Sequence, residues 1–323
     1  MQYISIQYCL ENKTKRIGGR GFKVKCPMCG GNDLWVTLDN GIGHCYECTF
    51  SCRVGDENEG PKKYQQKEKK ILDVPSIRKV YKEVSEFYRG SLLPQHRLYL
   101  ANRGIDEKSV EQFEIGFCPH SLIPIYETRA AKEAGLFRMD KIPSLAGRIV
   151  FPYRADGEIT DMRGRAVGDE EPKYKSPIHQ SYVRGAIYPY NYDFAIALAR
   201  QKKYLLITEG EIKALVAQIH GFPTVAFPGM TAWRPGLIFE SNIQPIVVFD
   251  NSPSIEDKIR VDKSIAKLYT YLPTLNVATL PLQGENKMDI DSFLLHPRGG
   301  SKLFTHLVEH SLPYEKYRIL RRG

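Results

Sequence analysis

Four cysteines near the N-terminus are spaced as the ligands of a single metal ion. Two residues separate Cys26 from Cys29 and Cys45 from Cys48, and fifteen residues lie between the two pairs. Each pair directs two thiolates at one ion, and two pairs close a tetrahedral site that leaves no position for a substrate. The spacing therefore predicts a structural Zn²⁺ ion with these two pairs, rather than Cys52, as its ligands. Buried or redox-active thiols are the alternative.

Carboxylates follow apolar, strand-like segments in the second half of the chain. Glu209 ends one such segment, Asp250 ends another, and Asp289 and Asp291 come after the last. Because ligands of an open parallel sheet bind beyond the carboxyl ends of its strands, we expect these side chains to converge. Clustered carboxylates repel one another unless cations join them, which predicts a Mg²⁺ or Mn²⁺ site with phosphate co-ligands. For each residue alone, a cap or turn role is the alternative.

The elements that must position these residues change in character along the chain. A glycine-rich, β-prone segment holds the four cysteines and is too short to fold by core burial alone. A charged linker follows it, and then helical periodicity and a hairpin signal at Asp156-Gly157. From Tyr204 onward, strands alternate with helices, which indicates a mostly parallel sheet covered on both faces. We predict a mixed α/β chain whose parts are residues 1–56, 57–75, 76–196 and 197–323.

Composition narrows the classes of protein that fit this chain. Its formal net charge of +9 favours a polyanionic partner, either nucleic acid or an acidic membrane surface. No stretch reaches the roughly 20 apolar residues of a membrane helix, and no signal peptide is recognisable, so we expect no membrane span and a cytoplasmic location. The seven cysteines are an odd number, which argues against a complete disulfide framework. No P-loop motif is present, so no fused helicase is expected.

Further motifs precede these acidic residues: Tyr99–Pro119, Gly147–Pro152, Arg163-Gly164-Arg165, Pro172–Pro177, Arg184-Gly185 and Ile187-Tyr188. Together with Glu209-Gly210 and Asp250, they make the chain resemble a known family, the DnaG-type primases of bacteria and phages. Glu209-Gly210 and Asp250 match acidic motifs of the TOPRIM fold, which these primases share with topoisomerases and some nucleases. The preceding region resembles the primase core and distinguishes primases from the other two classes.

This resemblance implies a DNA primase that synthesises short RNA primers on single-stranded DNA by metal-dependent nucleotidyl transfer, in phage or plasmid replication. It implies a zinc-ribbon DNA-binding domain over 1–56, a linker over 57–75, a basic primase-core subdomain over 76–196, and a TOPRIM catalytic domain with a helical tail over 197–323. Glu209, Asp250, Asp289 and Asp291 would be the catalytic residues and Mg²⁺ or Mn²⁺ ligands. The residues expected to bind nucleic acid or nucleotide are Arg148, Arg163, Arg165, Lys173, Arg184 and Lys213.

The implied partners are the template, ribonucleoside triphosphates and a separate hexameric replicative helicase. Two positions depart from the family pattern, because Ser252 stands where a second aspartate is usual and Lys213 where an acid is frequent. These departures keep two alternatives open: a TOPRIM nuclease that uses its metals to cut nucleic acid, and a primase-like DNA-binding factor that has lost catalysis. A type IA topoisomerase is not expected, because it needs a nucleophilic tyrosine on additional domains.

Overall fold

The computed structural model divides into two compact units, Met1–Ile71 and Leu72–Gly323, which are described separately. The predicted mixed α/β architecture is confirmed. The division between the units falls inside the linker predicted over 57–75, although most of that linker lies outside the described residues. The structure describes residues 2–17, 21–37, 41–48, 50–55, 74–120, 128–137, 142–177, 188–228, 242–282, 286–297 and 299–322.

The first unit is a six-stranded sheet with one short helix. Its strands lie in the order β1-β6-β5-β4-β3-β2, with β1 parallel to β6 and every other pair antiparallel. Its core is small, and the buried side chains include Val24, Leu34 and Val36. The elements are β1 (Gln2–Ile4), α1 (Ile6–Glu11), β2 (Lys13–Ile17), β3 (Gly21–Val24), β4 (Leu34–Thr37), β5 (Ile42–Cys45) and β6 (Ser51–Val54).

The second unit begins with helices packed on a four-stranded antiparallel sheet. The strand order is β10-β9-β8-β7, and β8 and β9 form the hairpin predicted at Asp156-Gly157. Both turn residues have positive φ, 54° and 78°, as the tight turn of such a hairpin requires. The elements are α2 (Val74–Gly90), α3 (Pro94–Ala101), α4 (Glu107–Gln112), β7 (Gly116–Cys118), α5 (Arg129–Glu133), β8 (Arg148–Ala155), β9 (Glu158–Ala166) and β10 (Tyr174–Lys175).

The second unit continues into a five-stranded sheet with helices on both faces. Its strand order is β12-β11-β13-β14-β15; the first four strands are parallel and β15 is antiparallel. The elements are α6 (Tyr192–Lys202), β11 (Tyr204–Glu209), α7 (Glu211–Ile219), β12 (Thr224–Phe227), β13 (Gln244–Val247), α8 (Ile255–Tyr269), β14 (Asn276–Val277), α9 (Ile290–Leu295), α10 (Ser301–Glu309), β15 (Leu312–Pro313) and α11 (Tyr314–Arg322).

Alternate residues of the central strands enter two different cores, because successive side chains of a strand point to opposite faces. Leu206 and Ile246 join a core that α7, α9 and α10 cover, whereas Leu205 and Val247 join one that α6 and α8 cover. The first of these cores also contains Phe151 and other residues of β8, so the antiparallel and parallel sheets share one hydrophobic core. The subdomain boundary that we predicted between residues 196 and 197 lies inside α6.

In the described part of the chain, none of the helices has the length and the apolar character needed to cross a membrane.

Candidate functional site

The four predicted zinc ligands lie together at one end of the first unit. Cys26 follows β3 and Cys45 ends β5, so the two strands carry the two cysteine pairs to the same place. All four Sγ atoms lie within 4.8 Å of one another. The Sγ atoms of Cys26 and Cys48 are 3.7 Å apart, and those of Cys29 and Cys45 are 3.8 Å apart.

These distances fit a tetrahedral thiolate site. Zn–S bonds of about 2.3 Å place the sulfur atoms of such a site roughly 3.8 Å apart. Among the residues that the structure describes, this is the only group of three or more His, Cys, Asp or Glu residues whose ligand atoms all lie within 4.8 Å of one another. Cys52 is fully buried in the core of the unit instead, where burial raises the pKa of its thiol to about 11. The predicted ligand set is therefore brought together, and Cys52 lies outside it.

The second candidate site is a pocket of about 290 Å³ at the carboxyl edge of the parallel sheet. Three carboxylates line it, those of Glu209, Asp250 and Asp289, as the positions of these residues after strands predicted. Gly210, where φ is +90°, forms the sharp turn from β11 into α7 that leaves Glu209 at the edge. Six cationic side chains line the same pocket: Arg103, Arg165, Lys173, Lys213, Arg260 and Lys287.

Asp250 is held by two of these cations. The Lys213 ammonium group donates to both carboxylate oxygens, at 2.5 and 2.7 Å, and the Lys287 Nζ atom lies 2.8 Å from Oδ2. Lys213 is the third residue of α7. Lys287 directly precedes Met288, which forms an isolated β-bridge with Asn251. The pairing therefore joins three segments that are distant in sequence.

Asp289 and Asp291 have different environments although they are two residues apart. The Asp289 carboxylate caps α9 by accepting from the Ser292 amide at 3.0 Å. Burial alone would raise the pKa of Asp289, but its interaction with Asp291 and its hydrogen bonds from Ser292 outweigh burial, and the pKa is lowered. Burial, and then the negative charge of Asp289, raise the pKa of Asp291 to about 6. The Arg103 guanidinium pairs with Asp291, so the buried Asp291 holds a cation that lines the pocket.

Two tyrosines fix the guanidinium group of Arg165 in the pocket. Its Nε atom donates to the Tyr99 hydroxyl at 2.7 Å, and its Nη1 atom donates to the Tyr174 hydroxyl. The guanidinium carbon also lies 5.0 Å from the centre of the Tyr174 ring, within the range of a cation–π contact. Arg165 is only 6% exposed. Its guanidinium group is therefore held in one orientation at the wall of the pocket.

A buried ion pair between Glu211 and Arg163 contacts the same tyrosine ring as Arg165. Glu211, the first residue of α7, is fully buried and accepts from the Tyr153 hydroxyl at 2.6 Å and from Arg163 Nη1 at 3.3 Å. The guanidinium carbon of Arg163 lies 4.9 Å from the centre of the Tyr174 ring. Arg163 and Arg165 therefore contact the same aromatic ring. Glu211 thus links the start of α7, which follows Glu209, to strand β9 of the antiparallel sheet.

We expect Glu211→Met to destabilise the second unit by about 3 kcal/mol, because it leaves the Arg163 charge largely buried without its carboxylate. Urea unfolding, followed by circular dichroism, measures the change. The double variant Glu211→Met/Arg163→Met removes both charges and is expected to recover most of the lost stability. Equal unfolding midpoints for the wild type and Glu211→Met would show that the pair does not stabilise the fold.

The remaining predicted residues lie elsewhere. Arg148 is buried and donates to the Pro172 carbonyl oxygen at 2.9 Å, so it shapes the segment before Lys173 rather than lining the pocket. Arg163 faces Glu211, and Asp291 faces Arg103. Arg184 lies outside the described residues.

Sequence reasoning assigned no role to several residues that the pocket uses. Arg260 follows Ser254, which caps α8, by six residues, and Lys287 precedes Asp289 by two. Arg103 and Tyr174 stood inside motifs of the resemblance, but nothing in the motifs indicated which side chains they contact. Nearness in sequence to the predicted carboxylate was the one available signal for Lys287.

The comparisons with known proteins find similarity to DNA primases. A family model described as the N-terminal domain of the DNA primase catalytic core matches residues 87–194. A DNA primase from Thermotoga maritima is 31% identical over 170 residues, which cover 47% of this chain and 30% of that primase. The chain spans about a third of the length of this relative and of the curated DNA primases of Pasteurella multocida and Haemophilus influenzae, which it also matches.

Solved structures show the same fold. The zinc-binding and RNA polymerase domains of the Aquifex aeolicus primase match 95% of this chain and 82% of that one, with 19% identity and a TM-score of 0.61. A DnaG primase catalytic domain bound to single-stranded DNA matches 74% of this chain and 82% of that one, with 21% identity and a TM-score of 0.57. The family model, the primase relatives and the shared fold make this chain similar to the DnaG-type DNA primases.

Proposed function

We propose that this chain is a primase that joins ribonucleotides into short RNA primers on a single-stranded DNA template. One observation carries the proposal: three carboxylates and six cationic side chains line a single pocket at the carboxyl edge of the parallel sheet of a DnaG-type fold. Joining nucleotides is phosphoryl transfer, in which catalysis consists mostly of positioning and charge neutralisation. This pocket offers groups for both tasks.

The carboxylates of Glu209, Asp250 and Asp289 suit a divalent cation. Mg²⁺ and Mn²⁺ prefer oxygen ligands, which these carboxylates provide. The pocket also has room for the phosphate groups that act as further ligands. The buried Asp291 Oδ1 atom has no hydrogen-bond partner among the described residues, which leaves a further oxygen donor beside Asp289. A cation held there would neutralise charge on the triphosphate and activate the 3′-hydroxyl of the growing primer.

The cationic side chains are expected to have different roles, because Arg165 is fixed by its neighbours whereas Lys173 is exposed. Arg165 is fixed by Tyr99 and Tyr174, so it serves to orient a phosphate group in one geometry. Lys173 is exposed on the approach to the pocket, where it meets either the incoming nucleotide or the template backbone. The DnaG domain that was solved with single-stranded DNA supports the template part of the proposal.

Replacing Lys173 by alanine is expected to raise the KM for ribonucleoside triphosphates about tenfold and to change kcat less, because a flexible ammonium group mainly assists binding. The positive charge of Arg165, followed by burial, lowers the pKa of Lys173. Steady-state priming kinetics measure the effect. Lys302→Ala, an exposed lysine of α10, is the matched control, and an unchanged KM in Lys173→Ala contradicts the assignment.

The decisive test is a priming assay. Zinc-loaded protein is incubated with single-stranded DNA templates of varied sequence, labelled ribonucleotides and Mg²⁺ or Mn²⁺. Short RNA products support the primase. Degraded template without RNA would indicate the TOPRIM nuclease, whereas intact template without RNA would indicate a DNA-binding factor that has lost catalysis.

The proposed setting is the cytoplasm of a bacterium, in phage or plasmid replication, with a separate hexameric helicase as partner. The helicase part has its own test. Adding the replicative helicase of the host is expected to stimulate priming and to retain the chain in a pull-down. If priming proceeds at the same rate with and without the helicase, and the helicase does not retain the chain in a pull-down, this partner is contradicted.

A further inference from the structure

The Asp250 carboxylate is already neutralised by protein cations. Both of its oxygens accept from Lys213, at 2.5 and 2.7 Å, and Oδ2 also lies 2.8 Å from Lys287 Nζ. The side chains of Asp250 and Lys213 are only 13% and 16% exposed, so solvent screens this pair weakly. Asp250 is thus the one carboxylate of the pocket for which the structure shows two ammonium partners.

The two departures from the family pattern explain how this pairing arises. Lys213 lies on α7 four residues after Glu209, on the turn of the helix that faces the pocket, and it brings a positive charge to a position where an acid is frequent. Ser252 is 7% exposed, and its hydroxyl accepts from the Ser254 amide at 3.2 Å. That hydroxyl is therefore occupied in the turn before α8, so neither position adds a carboxylate near Asp250.

The charge balance of the pocket also disfavours the binding of a second divalent ion. Six cationic side chains surround three carboxylates, so the lining carries an excess of positive charge before any metal ion binds. Each divalent ion adds two further positive charges within a few ångströms of Lys213 and Lys287. Coulomb repulsion at such distances disfavours a second ion strongly, while the same excess attracts a triphosphate.

We propose that Lys213, supported by Lys287, is a resident cation of this pocket: its ammonium group takes the place of a second divalent ion beside Asp250 and contacts a phosphate group of the nucleoside triphosphate directly. The identity of the ligand rests on the proposed function, whereas the replacement of a metal ion by an ammonium group does not. A lysine suits this role because its ammonium is a compact charge that binds phosphate without strict geometry.

The first experiment counts metal ions. Free Mn²⁺ is measured by electron paramagnetic resonance in titrations of zinc-loaded wild type and Lys213→Asp. The aspartate variant is expected to bind one more Mn²⁺ per chain than the wild type, with an affinity at least about tenfold higher at that position, because a carboxylate replaces the competing ammonium. Lys302→Asp makes the same change on an exposed face of α10 and is expected to bind as the wild type does. Equal Mn²⁺ binding by wild type and Lys213→Asp overturns the proposal.

Lys213→Gln guards against a folding defect in the aspartate variant. It removes the charge and keeps a polar side chain that is one atom shorter, so it too is expected to bind Mn²⁺ more tightly than the wild type. In divalent-free buffer, a fluorescent ATP analogue is expected to bind the wild type and to bind Lys213→Gln about tenfold more weakly. Unchanged affinity for the analogue in Lys213→Gln shows that Lys213 does not contact the phosphate groups and overturns that half of the proposal.

These readouts separate this proposal from the proposed function. RNA synthesis by the wild type without any gain of Mn²⁺ in the Lys213 variants would retain the primase and overturn the resident cation. A gain of Mn²⁺ in a protein that makes no RNA would support the resident cation and overturn the primase.

Discussion

Replacing Asp250 by alanine is expected to abolish primer synthesis, with a fall in rate of about 10³-fold or more. The variant loses a carboxylate that lines the pocket together with Glu209 and Asp289, and it also releases Lys213 and Lys287 from the group that holds them. The two freed ammonium groups repel each other, so the variant loses both an oxygen donor for the cation and the position of the lysines. A priming assay with labelled ribonucleotides measures the loss.

The controls for this variant separate chemistry from folding. Asp250 is not part of either hydrophobic core of the second unit, so its removal is expected to leave the circular dichroism spectrum and the affinity for single-stranded DNA close to those of the wild type. Glu309→Ala removes an exposed carboxylate from α10, outside the pocket, and is expected to prime normally. Synthesis by Asp250→Ala at the rate of the wild type would show that the pocket is not the catalytic site.

The convergence of Glu209, Asp250 and Asp289 could be predicted because a simple rule governs it. Parallel strands end at the same edge of a sheet, so acids that follow them meet there, whatever the loops between them do. The two cysteine pairs are predictable for a similar reason, since the spacing within each pair fixes the local geometry of two ligands. In both cases the information lies within a few residues of the functional side chain.

The partners of these residues could not be predicted, because they depend on contacts between distant segments. Arg103 and Asp291 are 188 positions apart and meet only when α3 packs near α9. Arg163 and Arg165 share one face of β9, as residues two apart do, yet one faces Glu211 and the other Tyr99. A glutamate in the first turn of a helix is common on protein surfaces, so nothing in the sequence marks Glu211 as buried.

The Cys26→Ser variant is expected to lose the bound zinc and with it the fold of the first unit. Structural zinc contributes on the order of 10 kcal/mol to modules of this kind, which exceeds what the small core around Leu34 and Val36 supplies. Metal analysis of the purified protein measures the loss, and the fluorescence of Trp35 on β4 reports the unfolding of the sheet. Cys52→Ala is the matched control, because this buried cysteine of the same unit is not among the ligands and its variant is expected to retain zinc.

The same variant separates template use from nucleotide chemistry. The carboxylate pocket lies wholly within the second compact unit, so a defect in the first unit is not expected to change nucleotide affinity there. Initiation on a DNA template is expected to fall at least about tenfold in Cys26→Ser, while binding of a fluorescent ATP analogue stays within a factor of two. Full zinc content in Cys26→Ser would refute the ligand assignment. Parallel losses of initiation and nucleotide binding would instead show that the zinc module acts on the pocket itself, and not only on the template.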